Sequence, residues 1–475
     1  MEDCCLKNLF LEYCGRLPQE IGRLTPAGSN REYWRLSSDG SSVIGVHGTS
    51  ADENTAFLTI CRHLHSAGIP VPEIYAVSDD GMYYLLQDLG DATLFDVLGE
   101  CRKTGTYDSA LGILEETLET LPAIQFKGAD GLDFSVCYPV PEFDRRSIFW
   151  DLNYFKYCFL RPSGTEFDEG RLEDEFGRMA DVLLEGAPFA TFMYRDFQSR
   201  NIMVKDGKPW FIDFQGGRRG PLEYDVVSFL WQAKASYPAR LREHLTDVYL
   251  KALSNYTEAD PDRFRLRLEH FALFRTLQVL GAYGYRGNFE RKSHFLESIP
   301  AALDNLRGLL EKGTGKDEYP YLREVLGEMA GKYGTEVTDK TQTGRLTVRV
   351  KSFSYRKGIP EDYSGNGGGF VFDCRSMHNP GLYNEYKPLD GRSCEVIGFL
   401  DRMGEIGKYM DSVYRLVDSA VNKYLERGFT NLAVNFGCTG GRHRSVRCAE
   451  LMAAHLKERY GEAIDVRLAH RELDR

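Results

Sequence analysis

No run of about twenty apolar residues occurs in this sequence, so a bilayer-crossing helix is not expected. The opening residues, Met1-Glu2-Asp3-Cys4-Cys5, lack the basic start of a signal peptide, and no apolar segment follows them. A cytoplasmic protein without a membrane partner is the expectation. The eleven cysteines lack a repeated spacing, and their number is odd, which argues for reduced thiols. Cys4-Cys5 has no second pair to complete a zinc site. The G-K-[ST] ending of a Walker phosphate loop is missing, and so is the A-P-E tripeptide of protein kinases. Lysine is absent between Lys7 and Lys103.

What is present is ordinary for a soluble globular chain: 42% hydrophobic and 27% charged residues over 475 positions, room for two or three domains. The net charge of −11 is uneven. Residues 340–475 carry more base than acid, and the acidic excess lies before them. Such a change of sign suggests two domains with different partners. The acidic part is a poor nucleic-acid binder, since phosphate contacts need Lys and Arg.

Residues 33–37 and 42–47 read as strands around the turn Ser38-Asp39-Gly40-Ser41. Phe57, Leu58, Cys61 and Leu64 give 53–67 a helical period, and 82–87 reads as a strand. Helical pattern fills 109–185. Strands are expected at 189–194, 202–204 and 210–212, and helices from 225 to about 310. Residues 311–344, rich in Gly, Lys, Glu and Thr, read as a connector with a short helix at 321–329. Beyond it strands at 346–353, 370–374, 432–436 and 464–469 alternate with helices at 394–402, 406–427 and 443–460. The expected architecture is an α+β bilobal kinase-like domain over 1–310, the connector, and an α/β domain over 345–475.

The stretch Tyr194-Arg195-Asp196-Phe197-Gln198-Ser199-Arg200-Asn201 and the later Asp213-Phe214-Gln215 carry the chemistry. Phosphoryl transfer needs an oriented nucleophile and a charge-neutralising cation more than covalent help. Asp196 suits the acceptor hydroxyl. Asn201 and Asp213 offer the oxygen donors that hard Mg²⁺ prefers. The spacing is that of R-D-x-x-x-x-N, with Tyr194 where a kinase has His, followed by a D-F-Q in place of D-F-G. Only twelve residues separate Asp213 from Asp225, too few for a peptide-docking segment, so a small substrate is expected.

With these residues in view, 1 to about 310 resembles the aminoglycoside phosphotransferase family. It is most similar to the bacterial kinases that phosphorylate N-acetylmuramate or N-acetylglucosamine at C1 during cell-wall recycling. The likeness rests on Gly28-Ser29-Asn30-Arg31-Glu32-Tyr33-Trp34-Arg35-Leu36, Tyr84–Asp91, Arg195–Asn201, Asp213–Gln215 and Gly220–Ser228. It implies ATP and Mg²⁺, with Gln87, Asp88 and Leu89 as the hinge facing adenine. Since the strand lysine is missing and Val43–Val46 ends at His47, Arg31 or Arg35 would supply its charge, and Glu53 would be the helix acid.

A second site is written at Asn431–Ser445: an apolar strand, the loop Gly437-Cys438-Thr439-Gly440-Gly441, then a helix. Backbone N–H groups of such a loop cradle phosphate, with Arg442, Arg444, Thr439 and Ser445 as added donors. Cys438 to Arg444 also has the C-x5-R spacing of tyrosine phosphatases, but no acid loop accompanies it. Residues 345–475 resemble the C-terminal domain of the RapZ-like RNase adapter family. That likeness rests on Val350–Pro360, Phe372–Arg375, Asn379-Pro380, Gly437–Ser445 and His470–Leu473. It implies that Thr439, Gly440, Arg442 and His443 meet a phosphosugar such as glucosamine 6-phosphate, with Asp373, Arg375 and Asn379 as further candidates. An RNA or protein partner is left open, because that family's N-terminal nucleotide-binding domain is replaced here. The run Gly365–Gly369 precedes a strand and reads as a flexible loop. Against the amino-sugar kinase stands a regulatory adapter whose kinase lobe is degenerate.

Overall fold

The structure is a computed structural model that describes residues 2–24, 31–290, 293–296, 298–337, 345–360 and 369–473. Gly28-Ser29-Asn30, Thr338–Thr341 and most of the 365–369 run lie outside the described residues. The chain forms two compact units: Met1–Phe289 with Ser298–Tyr333, and Glu290–Glu297 with Gly334–Arg475. No helix among the described residues is long and apolar enough to cross a membrane.

The first unit begins with an antiparallel sheet in the order β1-β2-β3-β5-β4. Its strands are β1 (Glu20–Leu24), β2 (Glu32–Ser38), β3 (Ser41–His47), β4 (Ile74–Val77) and β5 (Tyr83–Gln87). Asp39 and Gly40 take φ of 48° and 77°, the two left-handed residues that a tight hairpin needs between right-twisted strands. The helix Ala51–Ser66 starts where Ser50 accepts the Glu53 N–H. It buries Phe57, Leu58, Ile60, Cys61 and Leu64, the stripe expected from the sequence.

The rest of the unit is mainly helical. Two short two-stranded sheets carry the polar loops: β6 (Thr191–Met193) with β9 (Arg218–Gly220), and β7 (Ile202–Lys205) with β8 (Lys208–Phe211). Much of the segment read as a connector is helical. Pro320–Val337 is a helix, and Tyr319, Leu322, Leu326 and Met329 are buried. The buried Glu175 carboxylate accepts the Tyr321 and Leu322 N–H groups at its start, and residues through Tyr333 belong to the first unit. A helix was expected here over 321–329 alone; its first turn is held by a partner 146 residues away, which local composition does not show.

The second unit holds a parallel sheet, β11-β12-β10-β13. Its strands are β10 (Leu346–Ser354), β11 (Gly369–Asp373), β12 (Asn431–Cys438) and β13 (Ile464–His470). Helices Cys394–Met403, Glu405–Glu426 and Arg444–Tyr460 share a core with it, built from Val348, Val350, Val434, Phe436, Val413, Val417, Met452 and Leu456. Parallel strands joined through helices are what the alternating pattern requires.

Candidate active site

The three groups singled out for phosphoryl transfer are linked through the backbone of one residue, Ile212. Ile212 N–H donates to the Asn201 carbonyl at 3.0 Å, while the buried Tyr194 hydroxyl donates to the Ile212 carbonyl. The residue before Asp213 is thus tied to both ends of the loop that carries Asp196. The Asn201 amide donates to the Asp196 carbonyl at 2.9 Å. This leaves its Oδ1 to accept a cation. Asp213 Oδ1 accepts from Gln215 at 2.7 Å. Burial, and then the Asp196 charge, push the Asp213 carboxyl above its usual range, as expected of two acids held close in one site.

The loop is held in an unfavourable backbone shape. Arg195 has φ 77° and Asp213 has φ 68°, a region that costs an ordinary residue roughly 1–2 kcal/mol. Asp225 supplies the compensation: Oδ2 accepts the Tyr194 N–H and Oδ1 the Arg195 N–H, both at 2.8 Å. Asp225 is fully buried, and burial pushes its carboxyl up to about 7 despite these donors and the Arg275 charge. A carboxyl raised on folding stabilises the fold below its unfolded value, near 4. That contribution is lost as pH rises through about 7. Melting of wild type and Asp225→Asn between pH 4 and pH 8 tests this. The gap between the two melting temperatures should narrow as pH rises, and a widening gap would contradict the assignment.

Asp196 faces a network from the long helix Pro261–Gly284. Arg275 Nη2 donates to Asp196 Oδ1 at 3.0 Å and Arg275 also bonds Tyr224 and Gln278; Gln278 Nε2 donates to Asp151 Oδ2 at 2.6 Å. Burial alone would raise the Asp196 carboxyl, but Arg275 and Arg195 outweigh it and hold it below the usual carboxylate range. Asp196 is therefore ionised at neutral pH, and its side chain remains about half exposed, at 46%. Arg275, Gln278 and Asp151 were not foreseen from the sequence. They sit on helices that carry no motif, and only the fold brings them to the loop.

Arg31 is 3% exposed, and its Nη2 lies 3.3 Å from Glu53 Oε1 on the helix Ala51–Ser66. Its guanidinium also lies over Phe57, 5.2 Å from the ring centroid, and Phe57 stacks on Phe214 beside Asp213. The Arg31 charge lowers the Asp213 carboxyl, so the two are close enough to interact. Arg35 is committed elsewhere. It pairs with Asp88 (Nε–Oδ2 2.7 Å) and Asp91 (2.8 Å), and Ser42 also donates to Asp88. Of the two candidates for the absent charge, Arg31 is the one brought toward Asp213. Gln87 ends β5, the Asp88 carbonyl accepts from Lys205 Nζ at 3.1 Å, and Leu89 is buried.

In the second unit the glycine-rich loop joins β12 to the helix Arg444–Tyr460. Gly441 has φ 67°, and a Cβ there would come within 2.8 Å of the Ser354 N, so only glycine fits. The Thr439 carbonyl accepts from Ser354 Oγ at 2.7 Å, and the Arg442 carbonyl from Gly391 N at 2.8 Å. The Arg442 side chain and Gly440 are exposed. His443 Nε2 lies 2.9 Å from the Tyr386 carbonyl. Arg444 and Ser445 turn inward: Arg444 Nη1 donates to the Arg375 and Met377 carbonyls, and Ser445 Oγ lies 3.1 Å from Cys438 Sγ. Asp373 binds Arg375 in a two-pronged pair, and Asn379 accepts the Gly381 N–H. A phosphatase reading suffers from this arrangement. Its thiol is only 3% exposed, and its arginine is spent on carbonyls.

Two family patterns match the chain: the phosphotransferase enzyme family over residues 21–267, and the RapZ C-terminal domain over 346–474. An N-acetylmuramate/N-acetylglucosamine kinase of Pseudomonas aeruginosa is 28% identical over 309 residues, 63% of this chain and 86% of that protein. A nucleotide-binding protein of Paramagnetospirillum magneticum is 38% identical over 146 residues, 31% of this chain. The match spans only 44% of that relative's own length. Among solved structures, a thermostable mutant of an aminoglycoside phosphotransferase aligns over 65% of this chain and 99% of its own, at 17% identity and a TM-score of 0.42.

Proposed function

The chain belongs to the phosphotransferase enzyme family, and we propose that it is an ATP- and Mg²⁺-dependent kinase of an amino sugar such as N-acetylmuramate or N-acetylglucosamine. The observation that carries this reading is the backbone of Ile212, whose N–H and carbonyl tie the residue before Asp213 to the loop bearing Asp196 and Asn201. Asp196, kept ionised by Arg275 and Arg195, accepts the acceptor hydroxyl's proton as that oxygen bonds to the terminal phosphorus and the bond from that phosphorus to the bridging oxygen breaks, releasing ADP. Asp213 and the free Oδ1 of Asn201 fit a hard cation and would hold Mg²⁺. When bound, the metal neutralises charge on the transferring phosphoryl group. Arg31, backed by Glu53, would grip the nucleotide phosphates, and the backbone of Gln87–Leu89 would meet the adenine. An intact Arg31–Glu53 pair favours an active lobe over a degenerate one. The test is a panel of amino sugars with ATP, read as ADP release and phosphosugar formation. Failure of every amino sugar would overturn the substrate reading.

For the second unit the reading is a phosphosugar cradle, formed by loop N–H groups around Gly440 with the exposed Arg442 as counter-charge. Arg442→Ala should weaken glucosamine 6-phosphate binding about tenfold or more, the scale of one hydrogen bond to a charged group. Calorimetry on the full chain measures it, and equal affinity in both proteins would reject the cradle.

A further inference from the structure

Gln278 has only one workable orientation. Its Oε1 accepts from Arg275 Nη1 and, at 2.9 Å, from the Tyr224 hydroxyl, and a guanidinium can only donate. Its Nε2 therefore faces the other way, where it donates to Asp151 Oδ2 at 2.6 Å. Arg275 and Gln278 are three residues apart on the helix Pro261–Gly284, so their side chains neighbour each other. This pair anchors two carboxylates, one at each end: Asp196 through Oδ1 and Asp151 through Oδ2.

Each carboxylate keeps its second oxygen without a partner among the described residues. Neither of these oxygens is sealed from solvent. The Asp196 side chain is about half exposed, and Asp151 is partly exposed. The fold fixes the second carboxylate in place. Asp151 lies on the helix Arg145–Phe155, which packs against Pro261–Gly284 at Gly281. A Cβ on Gly281 would come within 2.8 Å of the Phe155 N, so glycine there allows the close approach that brings Asp151 to Gln278. Burial raises the Asp151 carboxyl, and the charge that opposes this most is Arg195, the residue before Asp196.

We propose that Asp151 binds the acceptor: its Oδ1 takes a hydrogen bond from a second hydroxyl or N–H of the molecule whose reacting hydroxyl meets Asp196. This deepens the kinase reading and rests on it. Engaging both carboxylates needs two donors on one small molecule, which selects a polyhydroxylated or acylamino sugar over a simple alcohol. Two-point attachment also orients the reacting hydroxyl.

The experiment is a cycle of protein and substrate changes on the full chain. Wild type, Asp151→Ala and Asp151→Asn each receive ATP, Mg²⁺ and one of five sugars: N-acetylglucosamine, its 3-, 4- and 6-deoxy forms, and 2-deoxyglucose, which lacks the acylamino N–H. Turnover is read as kcat/KM, and binding by calorimetry with a non-hydrolysable ATP analogue present. In wild type one of these deletions should cost about 10- to 100-fold, the worth of a hydrogen bond to a charged group. Asp151→Ala should cost a similar factor on the intact sugar and little more on that one analogue, while the KM for ATP stays put. Asp151→Asn must keep its oxygen toward Gln278, so it turns its NH2 to the ligand. It should lose the same selectivity while melting like wild type. Losses that simply add in both variants would overturn the proposal and leave Asp151 as a prop for Gln278, with the kinase reading intact. A wild type that neither binds nor phosphorylates any of the five sugars would bring down the substrate reading, and the proposal with it.

Discussion

Asp196→Asn is expected to lower kcat by about 10²–10⁴-fold while the KM for the nucleotide stays near its wild-type value. The amide keeps the oxygen that accepts from Arg275, and Arg275 keeps its bonds to Tyr224 and Gln278, so the network survives. The lost property is basicity. In wild type the carboxylate is held ionised by Arg275 and Arg195, with its side chain open enough to meet a substrate. Melting temperature serves as the control. A variant that melts like wild type and turns over normally would remove Asp196 from the chemistry. A variant that melts far lower would assign it a structural role through Arg275. Substituting Arg275 by Lys gives a complementary signal, since a lysine keeps the charge but not the fork that reaches Asp196, Tyr224 and Gln278 together.

The sequence exposed those parts of the fold whose signals are local. The hairpin of β2 and β3 was legible because Asp39-Gly40 supplies the two left-handed residues and the flanking strands alternate. In the second unit β10 and β13 were legible because apolar and polar residues alternate along them, and β11 and β12 because they are short, mostly apolar runs. β1 escaped because its side chains are mostly exposed and carry no alternation. β9 escaped because three residues are too few for a period. In the site, Asp196, Asn201 and Asp213 were readable from spacing, since one loop carries the first two and two backbone bonds of Ile212 tie the third to it. Arg31 and Arg35 stood as equal candidates for the missing charge. Only tertiary pairing separates them: Asp88 and Asp91 take one, and Glu53 takes the other. Asp151 left no trace in the sequence because its partner, Gln278, lies 127 residues away. Arg444 and Ser445 also needed the fold. Both look like phosphate donors in a list of residues, but both are buried: Arg444 is spent on the Arg375 and Met377 carbonyls and Ser445 lies against Cys438.

Asp213→Asn should be the other severe lesion, and its signature differs from that of Asp196. One oxygen of its carboxylate accepts from Gln215, and the other has no hydrogen-bond partner among the described residues. It is half-buried beside a second acid, an arrangement that is unfavourable unless a cation is shared. If Asp213 holds Mg²⁺, the cation must strengthen nucleotide binding in wild type, and the amide must erase that dependence. Calorimetry with ATP, with and without Mg²⁺, reads this without any turnover. The expected result is tighter binding with Mg²⁺ in wild type and no difference in the variant, with kcat/KM reduced by about 10³-fold or more, the scale seen when charge stabilisation of a transferring phosphoryl group is lost. The fold should not suffer. Removing a buried negative charge that Asp196 repels relieves strain in the metal-free protein, so Asp213→Asn should melt at or above wild type when Mg²⁺ is withheld. Mg²⁺-dependent nucleotide binding that persists in the variant would place the cation on other ligands and leave Asp213 with only its left-handed turn to explain.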